Sequence, residues 1–303
     1  MTIVADSGGT KTTWAAVESG NKVVTVGLNP HFTTDEQYLA ACRRVEAICP
    51  PDDEELTVCF YGAGCGNAKQ RQRVESLLSA GFHTAEVHVD TDMLGACRAV
   101  SGTKASIVSI LGTGSNACYY DGTAIVWQPT STGYVMGDQG SANHAGRILL
   151  DDYLTEKMPP DIRRFFHECF PLSDDELIET VYHSATPNRF LASLAPFAVK
   201  NHPYCKNVIQ EVLYEWYNGL ILNVWKHANN PQGEVNLVGG FAKTLKTNTT
   251  NSSTKALDIN LVGGFAKALE KEIREFPLNE NLHIGHIVAD PIEGLLEYHK
   301  KAT

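Results

Sequence analysis

The sequence predicts an α/β protein in which two similar mixed domains face one another across a cleft. Three observations carry that expectation. A β-branched strand runs into a glycine turn at residues 3–13, a second strand and glycine turn stand at 105–116, and strands alternate with helices after each of them. A chain of 303 residues, 43% of them hydrophobic, is also long enough for two packed cores.

Each element follows from local pattern. Residues 3–5, 13–17 and 22–27 read as strands, followed by a helix over 35–48. A strand at 56–62, a helix at 69–80, a strand at 85–90 and a helix at 93–100 complete the first unit. The pattern then restarts with strands at 105–111, 114–120 and 123–128, the last two joined by Asp121 and Gly122 as a two-residue turn. The first domain is accordingly placed at 1–104 and the second at 105–303. Residues 145–228 read as a helical insertion in the second domain, with helices at 152–158, 174–182, 190–201 and 208–227 between proline breaks. A strand, a glycine pair and a helix follow at 260–276, then a strand at 283–289. The last helix, 291–301, is expected to pack back on the first domain. Two copies of one unit facing each other create a cleft, the usual place for a small-molecule site.

The first glycine turn carries chemistry. Asp6-Ser7-Gly8-Gly9-Thr10-Lys11-Thr12 delivers a carboxylate into glycines flanked by hydroxyls and an ammonium, and residues 13–17 keep strand character afterwards. The glycines therefore cap a β-hairpin. A P-loop is disfavoured, because it has another spacing and aims a helix N-terminus at phosphate. The backbone N–H groups of Gly8, Gly9, Thr10 and Lys11 are candidates to cradle phosphate, with Asp6 to hold magnesium through water. The second turn, Gly112-Thr113-Gly114-Ser115-Asn116, matches a dinucleotide fingerprint in its letters. A strand follows it, however, where the fingerprint needs a helix. Two such tips can hold a polyphosphate from opposite sides.

Composition narrows the partners. A formal net charge of -10 without any stripe of Lys and Arg argues against nucleic-acid and anionic-membrane surfaces. No apolar run approaches the ~20 residues of a membrane span, and no basic leader opens the chain, so a cytoplasmic protein with small-molecule partners is expected. The eight cysteines form no C-x-x-C pair or zinc spacing, and the eleven histidines form no metal motif. Reduced, structural thiols are expected.

One segment is duplicated. Residues 236–243 recur as 260–267, with a polar string at 247–254 between them. Only one copy can fill a given strand-to-helix slot. The second is favoured, because 266–276 continues as a strong helix former.

The two tips, together with Gly27-Leu28-Asn29-Pro30, residues 60–65, Asp90-Thr91-Asp92, Gly137-Asp138-Gln139-Gly140-Ser141, Leu237-Val238-Gly239-Gly240 or its repeat, and Pro291-Ile292-Glu293-Gly294-Leu295, resemble the BadF-type ATPase and N-acetylglucosamine kinase family of the sugar kinase, Hsp70 and actin superfamily. The resemblance spans nearly the whole chain. It implies two RNase H-like (actin-like ATPase) domains with an inter-domain cleft. It also implies transfer of the γ-phosphoryl of ATP, with Mg2+, to an amino sugar, the 6-hydroxyl of N-acetylglucosamine foremost. Asp92 takes the place of the family's general base. Asp90 is the competing candidate, and capping of the following helix is the structural alternative for Asp92. Asp138 matches a sugar-hydroxyl ligand, and Asn29 and Asn116 match the sugar side. Thr10, Lys11 and Thr12, with Gly8 and Gly9, match the first phosphate motif; Gly112, Thr113 and Gly114 match the second. Gly263 and Gly264, or Gly239 and Gly240, would admit adenosine against backbone. Gln139 stands where the family more often has Glu, and Phe265 or Phe241 is bulkier than usual. Relatives commonly form homodimers. Two other readings remain open: an activator ATPase coupled to electron transfer, with Cys65 as candidate cluster ligand, and a sugar sensor without turnover.

Overall fold

Three hydrophobic residues in succession, Ile3, Val4 and Ala5, call for a strand covered on both faces, and all three are fully buried. The structure, a computed structural model, describes residues 1–49, 56–82, 85–229 and 256–302. The first repeat copy and the polar string lie outside the described residues.

The strands β1 (Thr2–Ser7), β2 (Lys11–Ala16), β3 (Lys22–Val26), β4 (Thr57–Gly62) and β5 (Glu86–Thr91) form one sheet in the order β3-β2-β1-β4-β5. The strands β6 (Ser106–Leu111), β7 (Ser115–Tyr120), β8 (Ile125–Trp127), β9 (Leu257–Val262) and β10 (Leu282–Val288) form a second, ordered β10-β9-β6-β7-β8. The two are the same sheet read from opposite ends. In each, the opening strand pairs antiparallel with the next and parallel with the fourth, which pairs parallel with the fifth.

Alternation along each strand divides two cores. Ile3 and Ala5 face the helices Asp35–Val45 and Ala68–Phe82, in a core that holds Trp14, Tyr38, Phe60 and Leu78. Val4 faces the other way, onto Ile292, Leu295 and Leu296 of the last helix, Ile292–Ala302. In the second sheet Ile107 and Leu111 face the helical insertion, while Val108 faces Met93, Ala96 and Cys97 of the helix Asp92–Ser101. The helices that follow β5 and β10 are thus partly exchanged: the last helix covers the sheet of the other half, while Asp92–Ser101 lies between the two sheets, on Val108 of the second and, through Gly95, on Tyr61 of the first. The two helices also pack on one another closely enough that a Cβ at Gly294 would lie 2.1 Å from the Ala99 carbonyl oxygen.

Caps in the sequence mark the helix starts. Thr34 with Gln37 and Ser173 with Glu176 form capping boxes, and Ser141 accepts from the His144 amide. Each such cap is worth about 1 kcal/mol.

Three expectations need correction. The turn at Asp121 and Gly122 occupies four residues, 121–124, because the Asp121 carboxylate accepts from the Thr123 and Ala124 amides and closes a wider loop. The helix expected at 152–158 is instead Ala142–Leu154, and Glu156, at φ +58°, turns the chain out of it before Pro160–Cys169 begins. The helix expected at 190–201 is Pro187–Leu194, followed by a tighter turn, Ala195–Phe197, where Pro196 lacks an amide donor. Among the described residues, no helix is long and apolar enough to cross a membrane.

Candidate active site

Both glycine tips line one cleft of about 1010 Å³. Gly8, Gly9 and Thr10 enter it from the first sheet, and Gly112, Thr113 and Gly114 from the second, together with Asp92, Asn116, Asp138 and Gly264.

Tip one is a tight closure of β1 onto β2. The Gly8 amide donates to the Lys11 carbonyl at 3.0 Å, and the Gly27 amide donates to the Thr10 carbonyl at 3.1 Å. The Gly8 N–H is therefore engaged within the turn, which corrects the expectation that it faces phosphate. Thr12 needs a second correction. It shares a strand face with Trp14, so its hydroxyl is buried in the hairpin, 2.7 Å from the Ser7 hydroxyl and donating to the Val26 carbonyl at 2.9 Å. Its task is to hold the tip's shape. Lys11 turns out of the cleft and pairs with Asp290 at 2.6 Å.

Asp6 stands just behind the lining, on the strand face that looks toward the last helix. Its carboxyl is pushed up to about 7, first by burial and then by the charges of Asp290 and Asp92, against the pull of Lys11. Directly across the hairpin, the buried Thr13 hydroxyl has no hydrogen-bond partner among the described residues. Uncompensated negative charge beside an unsatisfied hydroxyl fits a hydrated magnesium ion, which binds through one or two carboxylates and keeps most of its waters. Among the described residues no group of three His, Cys, Asp or Glu side chains is placed to ligate a metal directly.

Tip two is braced from behind. Asp138, at φ +60°, accepts from the Ser115 amide at 3.1 Å and from the Asn143 side chain at 2.8 Å. Asn143, fully buried, also donates to the Thr113 carbonyl at 2.7 Å. The Asp138 carboxylate thus ties the tip to the start of the helix Ala142–Leu154 while still lining the cleft.

Asp92 is the first residue of the helix Asp92–Ser101, and Thr91 is the residue that caps it, accepting from the Leu94 amide at 3.2 Å. One Asp92 oxygen accepts from the Met93 amide at 2.9 Å. Burial raises its carboxyl above the ordinary value, with that amide opposing the shift. Asp90 sits on β5 opposite Tyr61, and its charge acts on Tyr61 and Arg98 rather than in the cleft. Asn116 lines the cleft with its side-chain oxygen on the Ala117 amide at 2.9 Å. Asn29 lies behind the cleft wall, where its side chain closes a turn by accepting from the His31 amide at 3.0 Å and abuts Gly64.

The second repeat copy occupies the slot between β9 and the helix Gly264–Ala268. Gly263 has φ +128°, and a Cβ there would lie 2.3 Å from the Leu111 carbonyl oxygen, so it keeps β9 against tip two while Gly264 faces the cleft. Phe265 also lines the cleft. Sequence reasoning missed Asp290, Asn143 and Arg189. Asp290 had a signal, since it precedes the helix after β10 as Asp92 opens the helix after β5.

No family model matches the chain, and no curated protein sequence matches it. Solved structures do. The chain is similar to a "putative N-acetylglucosamine kinase" of Porphyromonas gingivalis, at 28% identity over 99% of both chains with a TM-score of 0.83. A protein of the same description from Chromobacterium violaceum shares the fold, at 18% identity over 98% of both chains and a TM-score of 0.67. With its doubled sheet, shared cleft and paired tips, the chain has the two-domain fold of the sugar kinase, Hsp70 and actin superfamily and is similar in structure to putative N-acetylglucosamine kinases.

Proposed function

We propose that this chain is an ATP-dependent sugar kinase that phosphorylates an amino sugar, N-acetylglucosamine at the 6-hydroxyl foremost. The observation that carries the reading is the placement of Asp92, a carboxylate of raised pKa, in the one cleft that both glycine tips line. Similarity to the Porphyromonas gingivalis protein supports it.

Phosphoryl transfer asks the protein mainly for positioning and charge neutralisation. Gly9, Thr10 and the Gly112–Gly114 tip would hold the phosphates, with Gly264 against adenosine. Asp6 would hold Mg2+ through water, and the ion would neutralise phosphate charge there. The sugar would lie toward Asn116 and Asp138. Asp92 takes the hydroxyl proton as the new oxygen–phosphorus bond forms and the bond from the γ-phosphorus to the departing ADP oxygen breaks. Its elevated pKa suits a base that must hold that proton. The domain boundary near residue 104 falls between the helix Asp92–Ser101 and β6, and a homodimer is part of the same proposal.

The test is ATP consumption with a panel of hexoses and amino sugars. Turnover with an N-acetylated hexosamine above all others is the expected result. Equal, sugar-independent hydrolysis would favour the activator ATPase reading, and no turnover with any sugar would favour a sensor.

A further inference from the structure

The cleft is poor in positive charge for a site meant to hold a polyphosphate. Asp92 and Asp138 line it, and Asp6 and Asp290 stand close behind. The lysines nearby are engaged elsewhere: Lys11 with Asp290, Lys22 with Glu293 and Lys267 with Glu270. Among the described residues that line the cleft, Arg189 is the one with a permanent cation. It comes from the helical insertion, not from either sheet.

The helix Pro187–Leu194 and the turn after it present one stripe to the cleft, Asn188, Ala192, Ala195 and Val199, at helical spacing. Leu191 and Leu194 on the opposite side are buried in the insertion core, so the stripe has a fixed base. Arg189 reaches from this helix across the cleft and donates to the Gly9 carbonyl of tip one. That acceptor is neutral and leaves the guanidinium charge uncompensated, and among the described residues no carboxylate pairs with it.

We infer that Arg189 is a phosphate-binding residue of the nucleotide site, which exchanges the Gly9 carbonyl for oxygens of the terminal phosphates and thereby draws the second domain onto tip one. The inference rests on the kinase reading for its ligand, a nucleoside triphosphate. A phosphate offers the guanidinium an opposite full charge and a bidentate pair of oxygens, neither of which the neutral Gly9 carbonyl supplies, so the exchange favours the liganded arrangement.

The experiment measures binding of a non-hydrolysable ATP analogue, of ADP and of adenosine to the wild-type chain, Arg189→Ala and Arg189→Lys at one ionic strength. Loss of a charge-assisted contact predicts roughly 10- to 100-fold weaker binding of the ATP analogue to Arg189→Ala, a smaller loss for ADP, unchanged adenosine, and an intermediate value for Arg189→Lys. In turnover, kcat falls with the sugar KM unchanged, and added guanidinium ion restores part of the activity of Arg189→Ala. An ATP analogue bound as tightly as by the wild type, or adenosine weakened to the same degree, overturns the assignment. The binding arm needs no turnover. If the wild-type chain phosphorylates no sugar, the kinase reading fails while the role of Arg189 is still decided.

Discussion

The Lys11 ammonium lies 2.6 Å from a carboxylate oxygen of Asp290, joining the tip of the first hairpin to the entry of the last helix. The pair steers the lysine away from the cleft and leaves Asp6 among three carboxylates with one shared cation. The charge state of Asp6 is therefore sensitive to pH, because burial and the neighbouring carboxylates raise its pKa to about 7.

Asp6 has its pKa raised from 3.8 to about 7. Between those values the native chain holds a proton that the unfolded chain has released. Stability without ligands should therefore fall as pH rises from 3.8 to about 7 and level off above. Melting temperatures across that window should show the slope in the wild-type chain and a shallower one in Asp6→Asn, where the raised Asp92 carboxyl still contributes. At pH 8, Mg2+ should raise the melting temperature of the wild type and leave that of the variant in place.

Asp92→Asn should lower turnover by roughly 10² to 10⁴, the usual contribution of a general base, while binding of sugar and ATP analogue stays close to wild type. Because burial raises the Asp92 carboxyl, the acid limb of the wild-type pH–rate profile should lie above the ordinary carboxylate range. Near wild-type turnover in the variant would remove Asp92 as the base.

Asn143→Ala deletes the amide that holds both Asp138 and the Thr113 carbonyl. Two half-buried acceptors each lose a donor, at a cost of about 1 to 3 kcal/mol in urea denaturation. The ATP analogue should bind less tightly in step, because tip two loses its brace. Unaltered stability and affinity would show that the tip holds its shape without the brace.

Gly294→Ala places a methyl group where the Ala99 carbonyl already lies. The two helices must separate or shift, at a cost of about 1 to 3 kcal/mol. The urea midpoint should drop, and a midpoint equal to wild type would show that the helix pair yields without strain.

Much of this was legible in sequence. The hairpins at residues 2–16 and 106–120 show because short runs of β-branched and apolar residues meet glycine at the tip, and both signals are local. Asp92 shows because a carboxylate at a strand-to-helix junction is conspicuous. The orientation of Thr12 could have been read as well, from its sharing a strand face with Trp14. The Asp290 partner of Lys11 could not, being 279 residues away. Nor could the helix Ala142–Leu154, whose Asn143, His144 and Gly146 are weak helix formers, stabilised by burying Ala145, Leu149 and Leu150 against the insertion. Arg189 carries no motif at all, and its place in the cleft comes from how the insertion folds over the second sheet.

The placement of the last helix on the first sheet sets an order on biosynthesis. As the chain leaves the ribosome, the face of the first sheet that carries Val4, Ala15 and Val17 lacks its main lid until Ile292, Leu295 and Leu296 are translated. The opening domain must wait through nearly the whole of synthesis with a greasy surface bare, a natural point for chaperone capture. A chain released early would be left sticky and not merely shortened.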